Sequence, residues 1–150
     1  MYYPDLCNVR GSIHKLLMIR NKIAIITPVY NDWATFGYLL RDLDATLSHE
    51  QFEMSVIAVN DGSTQAFDPK LINANGLHNI KNLQIIHLAA NLGHQRAIAL
   101  GLAYIHDHSS SDLVIVMDCD GEDRPPDIIR LIEKQRHSPE TIVFAHRTRR

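Results

Sequence analysis

Two cysteines, Cys7 and Cys119, are all that the 150 residues contain. They lie far apart and in no metal-type spacing, so a disulfide framework is excluded and a reduced, cytoplasmic setting is the expectation. An excess of one charge is also lacking. Fifteen Lys and Arg stand against 17 Asp and Glu, a formal net charge of -2, so nothing draws the chain as a whole to nucleic acid or to an anionic membrane. No apolar run approaches the length that crosses a bilayer. The patch Leu16-Leu17-Met18-Ile19 is too brief for a signal-peptide core. Glycine is missing where common nucleotide folds need it: there is neither a Gly-rich dinucleotide turn nor a Walker-type phosphate loop. The nine histidines contain no HExxH pair.

What is present is an ordinary domain's worth of core. Hydrophobic residues make up 45% and charged residues 21%, which suits one soluble globular unit. Residues 1–21 read as an extension with no function assigned, and 22–150 as the domain. From Lys22 the pattern alternates. Strands are expected at Ile23–Ile26, Met54–Val59, Leu83–Leu88, Leu113–Met117 and Thr141–Ala145. Between them, Phe36, Leu40, Leu43 and Leu47 form a one-sided helical stripe, as do Ala97, Leu100, Gly101 and Tyr104, and Ile128, Ile129 and Ile132. A weak helix is expected at 70–73 in an otherwise loop-like stretch. Strands separated by helices imply right-handed crossovers, hence an α/β fold with a mostly parallel sheet. Leu113 to Met117, apolar at every position, reads as a central strand covered on both faces.

The chemistry gathers at strand ends, where such sheets bind ligands. The first strand closes in Thr27-Pro28-Val29-Tyr30-Asn31-Asp32, a turn that can stack on a nucleoside or simply cap the next helix. The second closes in Asn60-Asp61-Gly62-Ser63-Thr64, where a carboxylate could accept from a base or ribose, or an Asp-Gly turn could stand alone. After the third, Asn91-Leu92-Gly93-His94-Gln95-Arg96 offers a helix N-terminus and a cation to phosphate. The sharpest signal is Asp118-Cys119-Asp120-Gly121-Glu122-Asp123. Mg²⁺ or Mn²⁺ binds through one or two such carboxylates plus substrate phosphates. A calcium loop is excluded, because its closing Glu position is Ile129. Cys119 reads as a small filler, and the basic end, Arg147, Arg149 and Arg150, as solvated.

Taken in order, Thr27-Pro28-Val29-Tyr30-Asn31, Val59-Asn60-Asp61-Gly62-Ser63-Thr64, Asn91-Leu92-Gly93 and Asp118-Cys119-Asp120 resemble the nucleotide-sugar-binding half of a family 2 glycosyltransferase of GT-A fold. The polyprenyl- and dolichol-phosphate sugar transferases look most similar. The resemblance implies a three-layer αβα domain and inverting transfer of a sugar from a UDP- or GDP-type donor to an acceptor such as a polyprenyl phosphate. Pro28, Tyr30 and Asn31 would border the nucleoside and Asp61 the base. Arg96 would lie near the phosphates, Asp118 would face ribose or metal, and Asp120 and Glu122 would be metal ligands. The acceptor half, with the catalytic base, is expected to be missing, leaving the catalytic residue unknown. Asp123 is a weak substitute, better suited to capping the helix at Pro125. Two other readings remain at this point. One is a non-catalytic association module, with a protein partner or second copy over an open sheet edge. The other is a nucleotidyltransferase-like enzyme. Localisation is expected to be cytoplasmic, at most peripheral to the inner face of a membrane.

Overall fold

The computed structural model describes residues 21–47, 52–71 and 76–146. Most of the N-terminal extension, the end of the helix expected at 70–73, and the terminal arginines lie outside them. Four parallel strands, β1 (Asn21–Val29), β2 (Phe52–Asn60), β3 (Ile80–His87) and β4 (Leu113–Val116), form one sheet in the order β3-β2-β1-β4. Three helices connect or follow them: α1 (Trp33–Thr46), α2 (His94–His108) and α3 (Pro125–His137). Pro69–Leu71 is a single 3₁₀ turn. No helix among the described residues is long and apolar enough to cross a membrane.

Alternation along β1 builds two cores. Ile23, Ile25 and Val29 face α1 and α3 with Phe36, Leu40, Leu43, Ile128 and Ile132, all buried. Ala24 and Ile26 face the other way, toward Ala97 and Ile105 of α2. That second layer is thin because α2 lies very close to the sheet. A Cβ on Gly101 would meet Val59 Cγ2 at 2.9 Å and Ile26 Cγ2 at 3.0 Å, so hydrogen is the only substituent the interface admits without movement. The buried stripe of α2 is Ala97, Gly101 and Ile105. Leu100, expected on it, is exposed instead, because the stripe leans toward the Ile105 side of the helix.

Two expectations are not met among the described residues. The enclosed strand there is β1, whose residues 23 to 26 are wholly buried, whereas β4, the apolar run at Leu113, pairs with β1 alone. Val114 and Val116 are 42% and 44% exposed, since α2 packs over β1 and β2 and leaves that face of β4 uncovered. Nor is there a strand at Thr141–Ala145. Ile142 and Phe144 are each 82% exposed. Their β propensity finds no ladder, and propensity without packing does not hold a strand.

A side chain outside every motif ties α1 to β3. Asp44 accepts from the backbone N–H groups of His78 (3.0 Å), Asn79 (2.6 Å) and Ile80 (3.0 Å), while Asn79 Nδ2 donates to the Asp44 carbonyl at 2.8 Å. Burial pushes this carboxyl up, but the three N–H groups and the charge of His78 outweigh it and hold it below the usual carboxylate range. A carboxyl whose value is depressed by folding contributes fully above its ordinary pKa of about 3.9 and loses that contribution as pH falls through the depressed value. Asp44→Ala is expected to cost about 2 kcal/mol in urea denaturation at neutral pH. The gap to the wild type should narrow steadily in acid below about pH 4.

Candidate functional site

The carboxyl ends of β1, β2 and β4 and the start of α2 enclose a cleft of ≈ 360 Å³. Pro28, Val29 and Tyr30 come from β1 and its turn, Asp61 from the end of β2, Asn91, Gly93 and His94 from the entry to α2, and Asp118, Cys119 and Asp120 from beyond β4. The ladders continue past the strands and hold these ends in register: Asp61 N donates to Val29 O and Leu88 N to Asn60 O, both at 2.9 Å, and Met117 N donates to Ile26 O at 2.9 Å.

Asp61 is the buried carboxylate of the site, 3% exposed. Its Oδ1 accepts from Leu92 N at 2.7 Å and its Oδ2 from Gly93 N at 2.9 Å. These are donors just ahead of α2, which has no side-chain cap of its own at Gly93. An anion beside the positive end of a helix gains from both the charge-assisted bonds and the dipole. Gly62 makes the approach possible: its φ is +71°, and a Cβ there would stand 2.5 Å from Asn91 N and 2.6 Å from Ala90 C.

The acidic loop folds on itself. Asp118 N donates to Asp123 Oδ2 (2.8 Å) and Glu122 N to Asp120 Oδ1 (2.9 Å). Asp123 therefore closes the loop, and the helix-capping role expected of it is not seen: α3 starts at Arg124 as N-cap with no side-chain cap and with proline in its first turn. Asp118 Oδ1 lies 3.4 Å from His94 Nε2. Burial lifts the Asp118 carboxyl above the usual carboxylate range; His94 pulls it down, and the carboxylates of Asp123, Asp120 and Glu122 push it up. Cys119 is 7% exposed and packs in the main core while touching the cleft. Burial pushes its thiol up, and it sits 3.6 Å from the Pro28 carbonyl as a donor.

The cleft thus unites Pro28, Tyr30, Asp61, Asp118 and Asp120 of the residues singled out in the sequence. Asn31, Arg96 and Glu122 do not line it. Arg96 is exposed on the first turn of α2, its guanidinium 3.4 Å from Leu92 O. Asp32, part of the turn expected either to border a nucleoside or to cap the next helix, makes no side-chain cap bond and lines the cleft. The signal was a second polar residue after Tyr30, but a strand-end Asp reads equally as either. Among the described residues no three His, Cys, Asp or Glu side chains converge as a metal-holding group; this includes His106 and His108 on α2. The donor chemistry on the cleft wall is Asp118 and Asp120, two hard carboxylates in a locally anionic corner, which suits a divalent cation that takes its other ligands from phosphate and water.

The family model for glycosyl transferase family 2 matches residues 24–150. The chain belongs to this family. An undecaprenyl-phosphate 4-deoxy-4-formamido-L-arabinose transferase of Erwinia tasmaniensis is 30% identical over 112 residues, 75% of this chain and 33% of its own. Uncharacterized glycosyltransferases of Bacillus subtilis and Synechocystis are 29% and 27% identical, each over 85% of this chain and over 37% and 38% of their own. The chain therefore spans about a third of the length of these curated relatives. A parallel sheet with helices on both faces is what membership of this family leads one to expect, and the GT-A reading of the sequence stands.

Gly62→Ala tests the seam on which the cleft is built. A methyl group at positive φ against backbone is expected to cost at least about 2 kcal/mol, measured by equilibrium denaturation. Wild-type stability in this variant would contradict the described approach of residue 62 to the α2 entry.

Proposed function

We propose that the cleft holds the nucleoside diphosphate portion of a sugar donor and that the chain supplies the donor-binding part of an inverting glycosyltransferase. The observation that carries this is the joining, in one cleft of a family 2 chain, of Tyr30 and Asp61 with His94, Asp118 and Asp120. Pro28 and Tyr30 would border the nucleoside of a UDP- or GDP-type donor. Asp61, already held by two N–H groups, would present its remaining acceptor capacity to the base. Arg96, on the first turn of α2, would meet the donor phosphates.

Asp118 and Asp120 would hold Mg²⁺ or Mn²⁺, with Glu122 as a further ligand brought in from the same loop. When bound, the cation neutralises charge on the diphosphate leaving group. The protein's own share is to orient the donor, with His94 beside Asp118 at 3.4 Å. One relative is named for an undecaprenyl-phosphate acceptor, and a polyprenyl phosphate is the acceptor proposed here. Such an acceptor is already an anion, so its attack on the anomeric carbon needs no base to remove a proton.

Titration calorimetry with UDP, GDP and their sugars, with and without Mn²⁺, tests the reading. Metal-dependent binding of a nucleoside diphosphate is expected, and Asp120→Ala should reduce it below detection. No metal-dependent binding to any of these ligands would sink the proposal. That result would favour an association module, for which the uncovered face of β4 at Val114 and Val116 is the specific observation. Release of pyrophosphate from a nucleoside triphosphate and a sugar phosphate would instead mark a nucleotidyltransferase.

A further inference from the structure

Tyr30 and Asp32 both line the cleft, yet Asn31 between them does not. Among the described residues Asn31 is the only non-glycine with positive φ, 61°, a left-handed conformation that Asn tolerates better than most side chains. That local reversal is how residues on either side of it come to share one cleft. The side chain itself faces the β2 loop. Three donors converge on Asn31 Oδ1: Thr64 N at 2.9 Å, Thr64 Oγ1 at 3.1 Å and Gln65 N at 3.2 Å. Asn31 N donates in return to Ser63 Oγ at 2.9 Å.

The clasp is extended on both sides. Ser63 N donates to Asn60 Oδ1 at 2.9 Å, and Trp33 Nε1 donates to Gln65 O at 2.8 Å. Trp33 is in turn packed on Phe36 and Phe67, so the far end of the clasp reaches the main core. Residues 63–65 are thereby fixed against the β1–α1 turn, two positions after the Asp61 carboxylate. Tyr30, 46% exposed, stands on the other jaw of the same clasp.

We propose that Asn31 is a positioning residue that sets the gap between Tyr30 and Asp61, and so governs how well the cleft accepts a nucleoside, without touching the ligand itself. The proposal rests on the reading of the cleft as a nucleoside diphosphate site. It is the amide oxygen that the clasp uses, together with a left-handed backbone. Asp supplies the same oxygen, whereas Gly supplies the backbone alone.

The test compares Asn31→Asp and Asn31→Gly with the wild type. Calorimetry reads the affinity for UDP, GDP and inorganic pyrophosphate, each with Mn²⁺, and hydrogen exchange reads the amides of Thr64 and Gln65. Asn31→Gly is expected to weaken the nucleoside diphosphates about tenfold or more and to speed exchange at both amides by a similar factor. Pyrophosphate affinity should not change. Asn31→Asp should restore both readouts to within about threefold of the wild type.

Equal weakening of pyrophosphate would show a general loss of structure and overturn the proposal. So would nucleotide affinity in Asn31→Gly that equals the wild type. An Asp variant as weak as the Gly variant, with its amides still protected, would make the Asn31 amide a ligand contact instead. A wild-type protein that binds pyrophosphate but no nucleoside diphosphate would overturn the donor reading and this proposal together. Wild-type binding with an unaffected Gly variant would overturn this proposal alone.

Discussion

A carboxylate out of water has to be repaid in hydrogen bonds, and the Asp61 carboxylate is repaid by two N–H groups that belong to a different segment of the chain. That bond pair fixes where α2 begins. Once the entry to α2 is set, Gly101 brings the helix down onto Val59 and Ile26, and the thin second core closes around Ala97 and Ile105. The same bond pair fixes the floor of the cleft, because Gly62 must then pass within contact distance of the Ala90–Asn91 peptide. Fold and site are in this sense one construction: the group that anchors the crossover is also the group at the back of the pocket.

Much of this architecture could be read from spacing. The alternation of strand and helix, the α1 stripe at Phe36, Leu40 and Leu43, and the α/β class follow from periodicity that every residue in the element supports. The order of strands did not follow. Ile23–Ile26 and Leu113–Val116 are equally apolar, and only the ladder shows that the first is enclosed while the second has a bare flank. The stretch at Thr141–Ala145 has the composition of a strand with no neighbour to pair with. Composition reports what a segment would do if a surface were offered, and the offer is a property of the whole fold.

The site divides in the same way. Asp118 and Asp120 were legible because clustered carboxylates at a strand end have few uses, and the structure puts both on the cleft wall. Asn31 and Asp61 were legible as residues at the right place, but their bonds run to positions more than thirty residues away, which no local pattern encodes. Asp44 was invisible for the same reason. It lies within an ordinary amphipathic helix, and the three amides it holds come from the loop at His78 and Asn79 and the first residue of β3.

The bare flank of β4 gives the cleft two unlike walls. The wall built on β1, β2 and α2 is bolted through doubly flanked strands, the Asn31 clasp and the Asp61 bonds. The wall that carries Asp118 and Asp120 hangs from a strand of four residues that, among the described residues, is paired on one side only. Short edge strands with exposed hydrogen-bonding groups open at lower free energy than strands in the middle of a sheet. A molecule that touches both walls would therefore act as a staple, lending its binding free energy to the strand that the sheet itself holds least firmly.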